Sequence, residues 1–506
     1  MSRRAALWPF SPAIYLALLT GCGSSGSNGS APTPAPTPSP APVVSPGPLS
    51  KSNINLIFVV SEDLAFNAAG DIDSGTANLT NKGLQRSLRM ATFLQQHVLG
   101  SENATGIYAL APMTHLQTAD NYPDMASAET IQQFALLNQV TLASDAAGVT
   151  PYTANSFPLH TSYAVGGVPS GVAVQDRSCT NCQGLDFNDT NSDNESLLAG
   201  IVKANVPGFF VFSAPWETSS SLLANINRLE GYNLTLPSGY AGPNSVYAIS
   251  ITSSGGTSLV TFDSSLNPPS TYPALNSPAL VSSPCYSQTP FSISANGGAS
   301  GATLPQGINT NEILYIIRHA EAHPQGNWDD GNYVGAGQWR ALDLPNALAG
   351  KISPNQVYSI DPAQAIQGTA SASGSSSWSY VRPALTVEPY AIANNLPFRL
   401  AASFDLFATT PPQLATEASS FFFTGGRFSN QRILLAWEHD RIPTTVNALL
   451  SSYFPHGGGP TVPGWPSADY DTIWRVTLDA SGNVTVDNAL CEGIQSSGLP
   501  AAAPQL

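Results

Sequence analysis

The chain has 506 residues, with 18 Lys and Arg against 33 Asp and Glu and a net charge of −15 at pH 7. That length supports two or more domains with full cores. The acidic balance, with no basic stripe, argues against nucleic acid as a partner. It also gives a phosphorylated substrate no long-range attraction, so any anion must be held by a few local arginines.

At the start, Arg3 and Arg4 precede an apolar stretch at residues 13–19 that is too short to span a bilayer. Leu19-Thr20-Gly21-Cys22 follows directly. The pattern resembles a bacterial lipoprotein signal. It implies removal of residues 1–21, lipidation of Cys22, and a cell-envelope protein that is exported and held to the membrane by that anchor. The competing reading is an ordinary secretory signal with an incidental Cys22. Residues 22–50 are rich in Gly and Ser and then in Pro, the composition of a semi-extended tether. Processing would remove Arg3 and Arg4 and take the net charge to −17. Four cysteines remain, Cys179, Cys182, Cys285 and Cys491. Outside the cytoplasm an even number suggests two disulfides, and three pairings stay open. Cys179 and Cys182 also have the spacing of a redox or metal pair, but no second Cys/His pair stands at zinc spacing.

From residue 51 onward the chain repeats itself. The apolar run at residues 56–60 matches that at 313–317, and a helical pattern at 79–94 matches one at 333–348. Residues 106–112 match 356–362, 130–138 match 386–394, and 208–212 match 432–436. Both copies close on a β-type segment, at 245–262 and 471–486. The order agrees throughout, which marks an internal duplication. Strands alternating with helices predict an α/β class, as two tandem three-layer α/β/α domains at 51–285 and 300–506.

The polar positions of the two copies differ. The strand at 313–317 ends in Arg318-His319, where an open α/β sheet usually places its ligand site. Matched by apolar pattern, the first copy has Ser61-Glu62 there. Arg382 opens a predicted helix, whose free N–H groups and dipole favour an anion, and stands opposite Ala126. A second buried strand ends in Glu438-His439-Asp440, opposite Pro215 or a neighbour within Ser213-Ala214-Pro215-Trp216, and Pro443 sits in the first turn of the helix that follows. An imidazole can attack phosphorus, and a guanidinium holds phosphate oxygens through paired hydrogen bonds.

Residues 311–490 therefore resemble the histidine phosphatase superfamily, with its phosphoglycerate mutase-like fold. Arg318-His319-Ala320-Glu321 matches the first motif, Arg382 the second arginine and His439 the second histidine. Residues 437–443, 465–466 and 470–474 resemble a group of bacterial members. The first copy resembles the same fold more weakly and lacks the phosphate ligands. The resemblance implies that His319 forms a phosphohistidine, that Arg318, Arg382 and His439 bind phosphate, and that no metal or cofactor is needed. It further implies hydrolysis of a small phosphorylated substrate. Asp440 is the expected general acid, with Glu438 and Asp405 as alternatives. A binding or structural lipoprotein on the same scaffold is the competing function. Phosphoryl transfer of the mutase kind suits an exported protein poorly. An acidic stretch at 186–195 lacks the Gly and final Glu of a calcium loop, and reads as a polar surface loop. The Ser/Gly run at 368–377 reads as either a mobile rim or a linker.

Overall fold

The chain builds two sheets of the same strand order. In the computed structural model, described here for residues 46–506 apart from 65, 67–69, 77, 118–121, 139, 143–151, 155–156, 162–184, 188–191, 276–284, 286–287, 299–300, 323–329, 364, 368–376 and 402–410, residues 45–506 form one compact unit. Cys22, Cys179, Cys182, Asp405 and most of the Ser/Gly run lie outside the described residues. The first copy runs β1 (Ile54–Val60), α1 (Asn81–Phe93), β2 (Gly106–Ala109), α2 (Ala126–Leu137), a small hairpin of β3 (Val140–Leu142) and β4 (Tyr152–Ala154), α3 (Asp193–Ala204), β5 (Gly208–Ala214), α4 (Trp216–Leu229), β6 (Ser245–Ile251) and β7 (Thr257–Asp263). An edge strand, β8 (Ser292–Ala295), precedes the second copy: β9 (Glu312–Arg318), α5 (Gly335–Ala347), β10 (Gln356–Ser359), β11 (Ala365–Gln367), β12 (Ser377–Ser379), α6 (Arg382–Asn394), β13 (Phe398–Leu400), α7 (Pro411–Phe423), β14 (Arg432–Trp437), α8 (Arg441–Ser452), β15 (Thr472–Leu478) and β16 (Val484–Cys491).

The first sheet is ordered β2-β5-β1-β6-β7 and the second β13-β10-β14-β9-β15-β16-β8. Stripped of its edge strands β13 and β8, the second repeats the first. In each, three parallel strands carry the crossover helices and an antiparallel hairpin closes the other side. Every residue of β1 is buried, as expected of a strand covered on both faces. The inner faces of both sheets, with α1, α2, α5 and α6, share one hydrophobic core. The outer faces have separate cores, one with α3 and α4 and the other with α7 and α8. Each half is thus a three-layer α/β/α arrangement, and the inner helical layers join the halves. Polar contacts stitch this joint: Gln132 and Asn332 exchange hydrogen bonds at 2.7 and 3.1 Å, the Tyr272 hydroxyl donates to the Leu342 carbonyl, and Gln133 donates to the Pro504 carbonyl.

Local sequence explains the helix starts that matter. The Thr80 hydroxyl accepts from the Gly83 N–H and caps α1. Gly83 cannot be replaced, because a Cβ there would stand 2.1 Å from the Asp71 carbonyl oxygen. Pro383 occupies the first turn of α6, where no N–H is needed.

The side-chain alternation corrects the sequence match between the copies. Ile57 and Val59 face the shared core, as do Tyr315 and Ile317, whereas Phe58 and Ile316 face the outer cores. Val59 therefore corresponds to Ile317, and Val60-Ser61 to Arg318-His319. The apolar match had placed Ser61-Glu62 there, one residue out of register. A one-residue slip exchanges the two faces, and with both faces apolar the pattern does not reveal it. Val59 pairs with Ser213 and Ile317 with Ala436, so Trp216 stands where the second copy has His439.

Of the four cysteines left after Cys22, Cys285 and Cys491 form a disulfide that ties the segment between the copies to the end of β16.

Candidate active site

Parallel pairing of β9 with β14 brings Arg318 beside Trp437, so both strands leave the sheet at one level. The His319 N–H donates to the Trp437 carbonyl at 2.9 Å, holding the two exits together. The start of α6 packs against the same point. The Thr386 hydroxyl donates to the Arg382 carbonyl and accepts from the Ala320 N–H, at 2.7 and 2.9 Å. One hydroxyl thereby fixes the end of β9 to the helix that carries Arg382.

His319 is 2 % exposed. Its Nδ1 lies 2.8 Å from the Ala320 carbonyl oxygen. A carbonyl only accepts, so Nδ1 carries the proton and Nε2 keeps its lone pair. Burial, then the guanidiniums of Arg382 and Arg318, hold this imidazole well below its ordinary pKa. His439 also acts in that direction, which places all three charge partners within electrostatic reach of His319. The site therefore presents a neutral imidazole surrounded by groups suited to an anion.

The two arginines are held by aromatic faces. The Arg318 guanidinium lies 3.8 Å from the Tyr470 ring centroid, and that of Arg382 lies 4.6 Å from the Tyr380 ring. Tyr380 and Tyr470 also meet the His319 ring edge-on, at 6.1 and 6.2 Å. Arg318 also donates from Nη1 to the carbonyls of Ser467 and Asp469. Stacking of this kind contributes about 2 kcal/mol when desolvated and fixes the guanidinium plane.

His439 follows β14 and is half-buried. The Glu438 carboxylate contacts its Nδ1, while Nε2 lies 3.6 Å from Asp440 Oδ1. Glu438 also accepts from the Asp440 N–H at 2.9 Å. Burial alone would raise the Glu438 pKa, but the hydrogen bond and attraction to His439, the Asp440 N–H and Arg318 together outweigh it, and the group is held below its ordinary value. An ionised carboxylate engaged with His439 makes a poor proton donor, which counts against Glu438 as general acid. The Asp440 side chain is 80 % exposed, at the mouth of the site.

Glu321 turns away from the site. The wholly buried Arg340 of α5 donates to both its oxygens at 3.0 Å and again at 2.7 Å. Arg340 also contacts Glu492 and donates to the Ile494 carbonyl and the Ser496 hydroxyl. The structure thus gathers Arg318, His319, Arg382 and His439 around one point with Asp440 at its rim. Tyr470, Thr386 and Arg340 were not legible as partners of Arg318, Ala320 and Glu492, because each lies far in sequence from that group, and Tyr380, two residues before Arg382, carries no pattern that marks it as a platform. The first copy has Ser61 at the His319 position, its hydroxyl 2.8 Å from that of Ser127, and no imidazole follows β1 or β5.

No family model and no curated protein matches the chain. Among solved structures, one similar chain is a phosphoserine phosphatase mutant from Entamoeba histolytica in complex with phosphoserine. It is 14 % identical at a TM-score of 0.22, and the match covers 37 % of this chain and 98 % of that one. A likeness of that size carries no weight for the fold or the chemistry of this protein.

Proposed function

We propose that the second copy is a metal-independent phosphomonoesterase of the histidine phosphatase kind, working through a phosphohistidine at His319 Nε2. The observation that carries this reading is the state of His319: buried, proton on Nδ1, lone pair on Nε2, between two arginines that disfavour its protonation. In the first step Nε2 attacks phosphorus and the bond to the leaving oxygen breaks. Arg318, Arg382 and His439 hold the equatorial oxygens as charge shifts onto them. Asp440, beside His439 Nε2, supplies the proton the leaving oxygen needs. In the second step the Asp440 carboxylate takes a proton from water as the water oxygen attacks phosphorus; the P–N bond breaks, which releases phosphate and restores the His319 imidazole and the Asp440 acid. The first copy, without these groups, serves as scaffold through the shared core. Export on a lipid anchor at Cys22 belongs to the same proposal and rests on the N-terminal sequence alone.

The test is hydrolysis of an aryl phosphate by the purified chain in the presence of a chelator, beside His319→Ala. Loss of roughly 10⁴-fold or more in the variant supports the reading. Equal rates in the two proteins, or phosphate binding without turnover in either, would move the assignment to a non-catalytic anion-binding protein.

A further inference from the structure

The first copy has a cluster of its own at the carboxyl ends of β1 and β2, the edge where open α/β sheets place ligands. Asp63 follows β1, His115 follows the turn after β2, and Asp124 lies just before α2. His115 Nδ1 is 2.8 Å from Asp124 Oδ2 and 3.4 Å from Asp63 Oδ2. Both carboxylates are buried, at 3 % and 0 % side-chain exposure, while the imidazole at 15 % keeps one side open. These atoms all lie within 4.8 Å of one another.

The cluster is built before any ligand arrives. Residues Leu116 and Pro123 form a bridge, so His115 and Asp124 are pinned side by side at the ends of one loop. Asp124 Oδ1 is taken by the Ala126 N–H at the start of α2, which leaves Oδ2 directed at the ring. The His115 ring stacks flat on Phe187, with centroids 4.0 Å apart. A buried amide close in sequence to the cluster adds a donor. Gln117 is buried, its Oε1 accepts from the Leu64 N–H beside Asp63, and its Nε2 has no hydrogen-bond partner among the described residues. An oxygen carried by a bound ion, such as a coordinated water, would give this amide an acceptor.

From these observations the geometry points to a binding site for one divalent transition ion, Zn²⁺ or Mn²⁺, held by Asp63, His115 and Asp124. Two carboxylates and a neutral imidazole carry two negative charges, which a divalent ion cancels in a buried place where net charge is costly. Ligand atoms about 2.1 Å from a tetrahedral ion stand about 3.4 Å apart, so the observed spacings need a few tenths of an ångström of opening. One nitrogen with two oxygens favours a transition ion over Mg²⁺ or Ca²⁺. The open side of His115 leaves room for water or an exogenous ligand. The role is distinct from the proposed catalysis, since no residue of the second copy takes part.

The test is calorimetric titration of the full chain with Zn²⁺ and with Mn²⁺, paired with elemental analysis after dialysis, for wild type, His115→Ala, Asp63→Asn and Asp124→Asn. The expected result is one ion per chain in wild type, with affinity reduced by about 100-fold or more in each variant, given that even outer partners of metal ligands cost 10- to 100-fold. His439→Ala should bind as wild type does, which separates this site from Glu438-His439-Asp440. Wild type that takes up neither ion, or variants that bind as tightly as wild type, would overturn the proposal. Should one variant fail to fold, the other two decide it.

Discussion

Replacing Arg340 by Met tests how much the buried ion network behind β9 contributes to stability. The guanidinium is fully buried and its donors are taken by Glu321, Glu492, the Ile494 carbonyl and the Ser496 hydroxyl. Methionine fills much of the volume but leaves two carboxylates, 7 % and 1 % exposed, without their cation. Removing one partner of a buried ion pair costs about 3–5 kcal/mol, or about a thousandfold in the folded-to-unfolded ratio. Urea unfolding followed by tryptophan fluorescence measures it, the midpoint falling with an unchanged slope. Adding Glu321→Gln and Glu492→Gln should recover part of the loss, because neutral amides lower the desolvation penalty. A stability within about 1 kcal/mol of wild type for Arg340→Met alone would refute the argument.

Glu312 opens β9, far from the site, and burial pushes its carboxyl up to about 8. Its unfolded value is about 4.3, so between that pH and 8 the unfolded chain binds fewer protons and stability falls as pH rises. The slope is about 1.4 kcal/mol per pH unit for this group, and Glu312→Gln should flatten the stability–pH curve by that amount. Asp440→Asn should slow alkyl phosphate hydrolysis by at least about 100-fold and leave aryl phosphates, whose leaving groups need no proton, nearly unaffected; equal losses on both would remove Asp440 as the acid. Glu438→Gln should loosen His439 and lower kcat by roughly 100-fold while the unfolding midpoint changes little, which steady-state kinetics beside a urea melt would check. His319 is held neutral far below its ordinary pKa, so its acid limb in the pH–rate profile should not fall near pH 6.5; a wild-type limb there that shifts upward on neutralising Arg318 or Arg382 would belong to His319 and contradict its assigned state.

The α/β class and the order of elements were readable because both depend on periodicity, and each apolar run at 56–60 and 313–317 became a central strand. Register was not readable. Both faces of β1 and β9 are apolar, so a one-residue offset leaves the pattern unchanged and only packing fixes that Ser61, not Glu62, stands at the His319 position. The gathering of Arg318, His319, Arg382 and His439 was legible because each ends a strand or opens a helix on one edge of the sheet. What holds them was not. Tyr470 lies over Arg318 from more than a hundred residues away, and Thr386 acts through a hydroxyl that in sequence is one helical threonine among many. The Asp63-His115-Asp124 cluster was hidden for the same reason: its spacing matches no linear motif, and a two-residue bridge assembles it.

In the proposed mechanism His319 Nε2 carries the phosphoryl group during turnover. Rapid acid-free quenching of the chain with a labelled aryl phosphate, followed by peptide mapping and phosphorus NMR, tests it most directly. The expected product is a base-stable, acid-labile phosphoryl group on residue 319, attached at Nε2 and absent from His319→Ala. Hydrolysis at full rate with no phosphohistidine formed, or label on Nδ1 in place of Nε2, would contradict it.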